Sequence, residues 1–366
     1  MDLFQFLENA KVYLQPTGGT ATYKLDITPE GVSFSQSFTE KTYSERSIHE
    51  PEKYVDKGQI TKASVANFSF TLPLLKEPDF VPIWNLAVSL NSNNTLDTFN
   101  LFFIVDTKAY VIKKCVFTSL STSANKNVPI SIALEGQGSR LYTWQNSLQT
   151  QSILDPNGNI STLFSTDTSG IPTFGTTDIV ARSGTRTFLP LESASVGITG
   201  YEKHEGLLQS SSLELQNTVS WLPYTTIQGT AAALEGMQAY NLQYPETFYV
   251  TKRNVSGSAT IFISNEEASV FTGHEDANTN INAVGPNAWD QKIINSEAAA
   301  GNVSGYVSNL FAANFRSSVS GLGISFRGPV KGTSRVSVGP IMTMSLDWRL
   351  DSNSLSIASY LTYTTA

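Results

Sequence analysis

Val32-Ser33-Phe34-Ser35-Gln36-Ser37-Phe38 alternates apolar and small polar side chains with a period of two. On an extended chain that period puts Val32, Phe34 and Phe38 on one face and the three serines on the other, the pattern of a half-buried β-strand. Ala66-Asn67-Phe68-Ser69-Phe70-Thr71-Leu72 repeats it, with Phe68, Phe70 and Leu72 on the apolar side. Far downstream, Leu213 and Leu215 alternate with Ser212, Glu214 and Gln216, and Ser258-Ala259-Thr260-Ile261-Phe262-Ile263-Ser264 matches the strand around Ser69 in position and pattern. The reading is a chain built from strands with one dry and one wet face.

Composition agrees. Hydrophobic residues make up 40% of the 366 positions and charged residues only 15%, with 20 Phe, 14 Tyr and 5 Trp. Disordered chains are charge-rich and poor in aromatics, so extensive disorder is excluded, and a mainly helical protein would use more Ala, Glu, Lys and Arg. The net charge is −7, with −1 over residues 1–150 and −6 over the remainder. A basic footprint for gripping nucleic acid is absent from that balance. The lone Cys115 excludes an intrachain disulfide framework and a four-cysteine zinc site. The N-terminus carries acidic Asp2 where a secretory signal needs positive charge, and no window approaches the roughly 18 apolar residues of a membrane span. The expectation is synthesis and folding in a cytoplasm, with no membrane partner.

Working along the chain, residues 40–60 are charged and aperiodic, and are expected to be a long functional or contact loop. Glu77 to Leu90 is the best helix candidate, because Phe80, Ile83, Trp84, Ala87 and Leu90 form an apolar stripe and Pro78 and Asp79 suit a first turn. Phe99–Val105, Ala109–Thr122 and Val128–Gln137 read as further strands. Residues 146–186, rich in Ser, Thr, Asn, Gly and Asp, read as a polar linker or surface excursion. The second half then repeats the order: a short strand near Ser195–Thr199, a long one over Gly206–Val219, an aromatic loop at 221–246, a long strand over Phe248–Ser264 and a short helix from Asn265. Two closing segments, at 118–133 and 343–358, have equal length, begin with Thr and end in a Ser-Ile-Ala run; both read as strand, turn, strand. The expectation is duplication: a mainly β chain of two tandem units, 1–145 and 187–366, with the linker 146–186 between them and an inserted stretch near 274–318.

A search for chemistry returns little. His49, His204 and His274 are scattered through polar segments, and His274, Glu275 and Asp276 are adjacent, so their side chains point apart on extended chain. Cys115 lies in the apolar strand segment Lys114-Cys115-Val116-Phe117, where a small buried hydrophobe is expected. No phosphate-binding glycine loop is present, and Asp155-Pro156-Asn157-Gly158-Asn159 reads as a turn that lacks the later glutamate of a calcium loop. No catalytic, cofactor-binding or metal-binding residue is expected, and the chain is not read as an enzyme.

Two sheet-rich units, each with a long loop, then a helix, then a closing hairpin, resemble the bacteriophage tail tube (major tail) protein, and more narrowly the long-tailed siphophage form in which two tube domains are fused. The resemblance covers roughly 10–145 and 187–366. It implies two β-sandwich or split-barrel domains, each flanked by one α-helix and a long interface loop. It implies trimeric, pseudo-hexameric rings that stack into a tube in the virion, assembled in the host cytoplasm, through which DNA passes during ejection without specific binding. It also implies partners in a tape-measure protein, a tail terminator and distal tail or baseplate proteins. On this reading Ser33, Ser35, Ser37, Asn67, Ser69, Thr71, Ser131, Glu135, Ser212, Glu214 and Gln216 face the channel. Small hydroxyls and scattered carboxylates there would give passing phosphate few cationic contacts. Tyr43, Tyr54, Trp221, Tyr224 and Tyr244 are the candidate inter-subunit anchors, since interfaces favour aromatics. The alternatives are another β-rich tail, baseplate or receptor-binding virion protein, and a β-sandwich carbohydrate-binding protein or enzyme.

Overall fold

The structure is a computed structural model that describes residues 10–18, 21–25, 27, 32–46, 54–73, 80–105, 108–125, 130–145, 165–166, 172–173, 191–198, 201–203, 208–223, 244–262, 311–317, 323–328, 330–350 and 357–364. It is mainly β, as the alternating pattern predicts. The first half holds β1 (Ala10–Pro16), β2 (Tyr23–Leu25), β3 (Ser33–Ser35), β4 (Phe38–Arg46), β5 (Tyr54–Ala63), β6 (Ala66–Pro73), helix α1 (Phe80–Val88), β7 (Phe99–Val105), β8 (Lys108–Asn125), β9 (Ser131–Gly138) and β10 (Arg140–Gln145). A small ladder of β11 (Ser165–Thr166) and β12 (Pro172–Thr173) follows. The second half holds β13 (Leu191–Ile198), β14 (Tyr201–Lys203), β15 (Leu208–Pro223), β16 (Pro245–Phe262), β17 (Phe311–Ser317), β18 (Gly323–Gly328), β19 (Val330–Ser337), β20 (Thr343–Leu350) and β21 (Leu361–Thr364).

The ladder diagram is the same in the two halves. β1 pairs with β2 and β7, as β13 pairs with β14 and β17. β7 pairs with β8, whose first part also pairs with β10; β17 pairs with β18, which pairs with β21. The later part of β8 pairs with β9 and β9 with β6, as β19 pairs with β20 and β20 with β16. Finally β3 and β4 lie against β6 and β5 as the one long β15 lies against β16. This correspondence corrects the match of 118–133 with 343–358. The first segment is the β8–β9 hairpin, whereas β20 is followed by a 3-10 turn at Ile357–Ser359 and pairs with β16 and β19.

In each half two layers pack face to face. β8 serves both layers of the first half, with Lys114 in the left-handed region (φ 52) and a register shift between Phe117 and Ser119. In the second half the corresponding path is two strands, β18 and β19. Phenylalanines fill the first interlayer space: Phe34 stacks on Phe103 at 4.7 Å between ring centroids, and Phe68 and Phe117 meet Phe99 at 5.9 and 4.5 Å. In the second, Phe326 lies 4.7 Å from Trp348. Each such ring taken from water contributes about 1.5–3 kcal/mol, so these contacts dominate the layer packing.

Helix α1 falls inside the expected 77–90, with Pro82 in its first turn, where a missing N–H costs little. It buries Ile83, Trp84, Leu86, Ala87 and Val88. Expectations for a helix from Asn265 and for most of 274–318 lie outside the described residues, but Phe311–Ser317 of that stretch is strand β17, paired with β13. The expected loop at 40–60 is also corrected. β4 and β5 form an antiparallel hairpin, with Glu40 opposite Ile60 and Arg46 opposite Tyr54. Its run of Glu, Lys, Thr and Ser offers no apolar alternation, so periodicity could not reveal it.

Candidate functional site

The decisive pairing is between the halves. β15 runs antiparallel to the later part of β8, with Ser212 opposite Ser123, Glu214 opposite Ser121 and Gln216 opposite Ser119. That ladder welds two four-stranded layers into one continuous run, β3-β6-β9-β8-β15-β16-β20-β19. Its face toward the second layer is dry, with Phe68, Phe70, Leu134, Leu120, Leu213, Leu215, Val255, Ala259 and Leu346 all buried. Its other face is wet from end to end.

Every residue named above as channel-facing stands on that wet face. One row reads Ser33, Ser69, Glu135, Ser119, Gln216 and Asn254 across six strands. Another reads Ser131, Ser123, Ser212, Ser258, Asp347 and Thr333. Thr71 lies in the row of Ala133 and Ser121, and Asn67 opposite Ser35. Ser37, exposed just past β3, is tied to Ser64 between β5 and β6: its Oγ and its amide donate to Ser64 Oγ at 2.9 and 3.0 Å, and the Ser64 amide donates to its carbonyl at 2.8 Å. Hydroxyls also join neighbouring strands directly, Ser33 to Ser69 and Ser212 to Ser258, each at 2.8 Å. These two pairs occupy the same place in the two ladder diagrams.

The charge on this face departs from the sequence expectation of scattered carboxylates. Glu135, Glu214 and Asp347 are offset by Lys252, Arg335 and Arg349, with Lys331 on the same face by its register opposite Arg349. The basic members sit on the last three strands, which sequence reading did not include among the candidates. The ladder from β16 to β20 would have exposed them, but no local motif marks it.

The aromatic candidates divide. Trp221 and Tyr244 are half-buried at the seam between the halves. Trp221 Nε1 donates to Gln137 Oε1 at 3.0 Å while its ring lies 5.0 Å from Phe248, and the Arg140 guanidinium sits 4.3 Å from the centre of the Tyr244 ring. Tyr43 and Tyr54 stand on the β4–β5 hairpin, and Tyr224 lies outside the described residues.

Behind the seam is a buried polar cluster that sequence reading missed. Asn217 Nδ2 donates to the carbonyls of Ala87 and Phe117, both at 3.0 Å. Arg253 donates through Nε to Asn217 Oδ1 at 2.8 Å and through its terminal nitrogen to the carbonyls of Val88 at 2.6 Å and Ala87 at 3.3 Å. These are the C-terminal carbonyls of α1, which lack partners within the helix and carry its partial negative charge. Burial lowers the Arg253 pKa to about 10, so the guanidinium remains charged at neutral pH. Helix α1 is thus held by side chains of the other half, and Tyr363 adds to this by packing on Phe80 and Trp84 at 5.1 and 5.7 Å.

Cys115 is fully buried, its Sγ 3.2 Å from the Ile112 carbonyl, and burial pushes its thiol well up. Among the described residues, no cluster of three or more His, Cys, Asp or Glu could hold a metal ion, and no helix is long and apolar enough to cross a membrane. His49, His204 and His274 lie outside the described residues.

No protein-family model and no curated protein matches the chain. Among solved structures, it is similar to a chain of the sheath–tube complex of an extracellular contractile injection system in the extended state, at 10% identity and TM-score 0.29, over 40% of this chain and 94% of that one. It is similar at the same identity to a chain of that system's sheath/tube terminator in the extended state, with TM-score 0.28 over 39% of this chain and 96% of that one. A chain of the anti-feeding prophage tube-terminating cap matches at 11% identity and TM-score 0.28, over 40% and 92%.

Proposed function

We propose that this protein is the structural subunit of a phage-type tail tube, in which two tandem tube domains per chain build trimeric, pseudo-hexameric rings that stack around a channel for DNA. The observation that carries this reading is the single wet face running unbroken across strands of both halves and ending, among the described residues, in two sheet edges. A sheet of that kind, closed on copies of itself, removes its edges and gives a barrel with a hydrated wall. A head-to-tail interface that closes by rotation gives a ring, and ring-to-ring contact extends it. The bases of this face gather on β16, β20 and β19 beside Asp347, while β3, β6, β9, β8 and β15 present hydroxyls, amides and the carboxylates of Glu135 and Glu214, so any cationic stretch along the wall is interrupted, which suits passage over binding. The tape-measure, terminator and distal tail partners, and location in a virion, follow from the same reading.

Negative-stain microscopy and mass measurement of the purified protein test it. Rings or tubes with a central channel, and a ring mass of three chains, are expected. A chain that stays monomeric at high concentration, above all one that binds glycans, would overturn the reading.

A further inference from the structure

The seam inside the chain joins the later part of β8 in one half to β15 in the other. Ladder positions equate Phe34 with Leu213, because Phe34 lies opposite Phe68 as Leu213 lies opposite Gly257. The flanking serines follow: Ser33 answers to Ser212 and Ser69 to Ser258, and the two hydroxyl pairs are joined at the same 2.8 Å. On the other strand, the row Phe117, Gly136, Phe68 answers to Gly332, Trp348, Gly257, which equates β19 with the later part of β8. Within the chain, that part of β8 is covered by β15. Its counterpart β19 is bordered by β20 alone, and β3, the counterpart of β15, by β6 alone, among the described residues.

We propose that β19 of one copy pairs antiparallel with β3 of a second copy, in the register Ser337 opposite Ser33, Val336 opposite Phe34, Arg335 opposite Ser35, Ser334 opposite Gln36 and Thr333 opposite Ser37. This rests on the tube reading and supplies its interface. The register is the one in which Ser212 lies opposite Ser123 and Gln216 opposite Ser119, carried to the equivalent strands. It keeps the pleat in phase: serine, arginine and threonine continue the wet face, and Val336 meets Phe34 on the dry one. A slip of one residue would put Val336 against a serine and invert every side chain beyond the seam. Gln36 is already satisfied within its own chain, donating to the carbonyls of Ser64 and Ser139 and accepting from the Leu141 amide.

The two seams differ in one respect. The Asn217–Arg253 pair that grips α1 has Phe38 and Ala63 at the equivalent places, opposite each other at the start of the β4–β5 hairpin. Neither carries a side-chain donor. The inner seam is therefore locked by buried polar contacts, while the outer one relies on strand pairing, as a joint made during assembly requires.

Cysteine cross-linking in the full chain tests the register. Ser35 and Arg335 are exposed and the native Cys115 is fully buried. Oxidation of the S35C/R335C double variant should give covalent multimers up to the closed ring, and S37C/T333C should do the same one row along. Each single variant should give none. S33C/T333C, four residues out of register and about 13 Å apart, lies beyond the reach of a disulfide and should also give none. Circular dichroism confirms that each variant folds. Rings without cross-links in both in-register pairs, or dimers from R335C alone through β19 pairing with itself, would overturn this register while leaving the tube intact. Absence of any assembly by the parent chain would overturn both.

Discussion

Arg253 and Asn217, opposite each other on β16 and β15, are joined at 2.8 Å in a buried contact that closes the end of a helix more than 160 residues upstream. Removing the guanidinium strands Asn217 Oδ1 and withdraws the charge from the Val88 carbonyl. Hydrogen bonds to a charged group contribute about 1.5–3 kcal/mol each, and a buried acceptor left unmade costs a comparable amount. Arg253→Met should therefore lower unfolding stability by about 3 kcal/mol or more in urea titrations. Asn217→Ala should cost somewhat less, and the double variant less than the sum. A change within about 0.5 kcal/mol for R253M would mean the cluster does not hold the halves together.

Gly136 and Gly257 occupy crossings where an aromatic ring lies over the strand. A Cβ on Gly136 would collide with the Phe68 ring and the Val116 carbonyl, and one on Gly257 with the Ser212 carbonyl and the Trp348 indole. The backbone cannot yield without opening the ladder, so Gly136→Ala and Gly257→Ala should each destabilise by about 1–3 kcal/mol. Gly339→Ala serves as the control, because its nearest neighbour would be the Ile341 carbonyl at 3.6 Å. Thermal melts of the three variants side by side decide it; equal midpoints would show the rings are free to move aside.

The strands that alternate were legible in the sequence because one face is apolar and the other is not. Ser33, Ser35, Asn67, Ser69, Thr71, Ser212, Glu214 and Gln216 share one face and Phe34, Phe68, Phe70, Leu213 and Leu215 the other, as alternation predicts. What was hidden has physical causes. The β4–β5 hairpin carries no apolar stripe, so Thr42 and Ser44 look like loop. The match of 118–133 to 343–358 followed side-chain identity, whereas the ladders follow backbone pairing and equate β20 with β9. Arg253 was invisible because its partners, the Ala87 and Val88 carbonyls, are backbone atoms distant in sequence.

Tyr363 makes stability depend on alkaline pH. Burial beside Phe80 and Trp84 pushes its phenol pKa up from 10 to about 12, and its hydroxyl is buried with no hydrogen-bond partner among the described residues. The folded state favours the neutral phenol, so this contribution is complete below pH 10 and is lost as pH rises from 10 through about 12. A two-unit shift corresponds to roughly 3 kcal/mol at the alkaline end. Tyr363→Phe should flatten the stability profile in that window and leave or raise stability at neutral pH, since it removes an unmade hydrogen bond. Urea midpoints measured from pH 8 to 12 for both proteins would test this, and parallel profiles would refute it.

The turn between β19 and β20 exposes apolar side chains that nothing among the described residues covers: Val338 is 80% exposed, Ile341 64% and Met342 43%. At the opposite end of the same sheet, Leu222 and Tyr249 are 49% and 48% exposed. Rings stacked along the strand direction would bring one end toward the other, and apolar groups at both ends suit that contact. Replacing Val338, Ile341 and Met342 together by serine removes surface that is mostly in water at Val338 and Ile341 and partly so at Met342, so the monomer's melting midpoint should fall only slightly. Ring mass should also persist, because the β3 and β19 edges are untouched. Tube length in negative stain should fall several-fold, and should recover with leucine in place of serine at Ile341 and Met342. Tubes of parental length from the triple serine variant would assign stacking to some other surface.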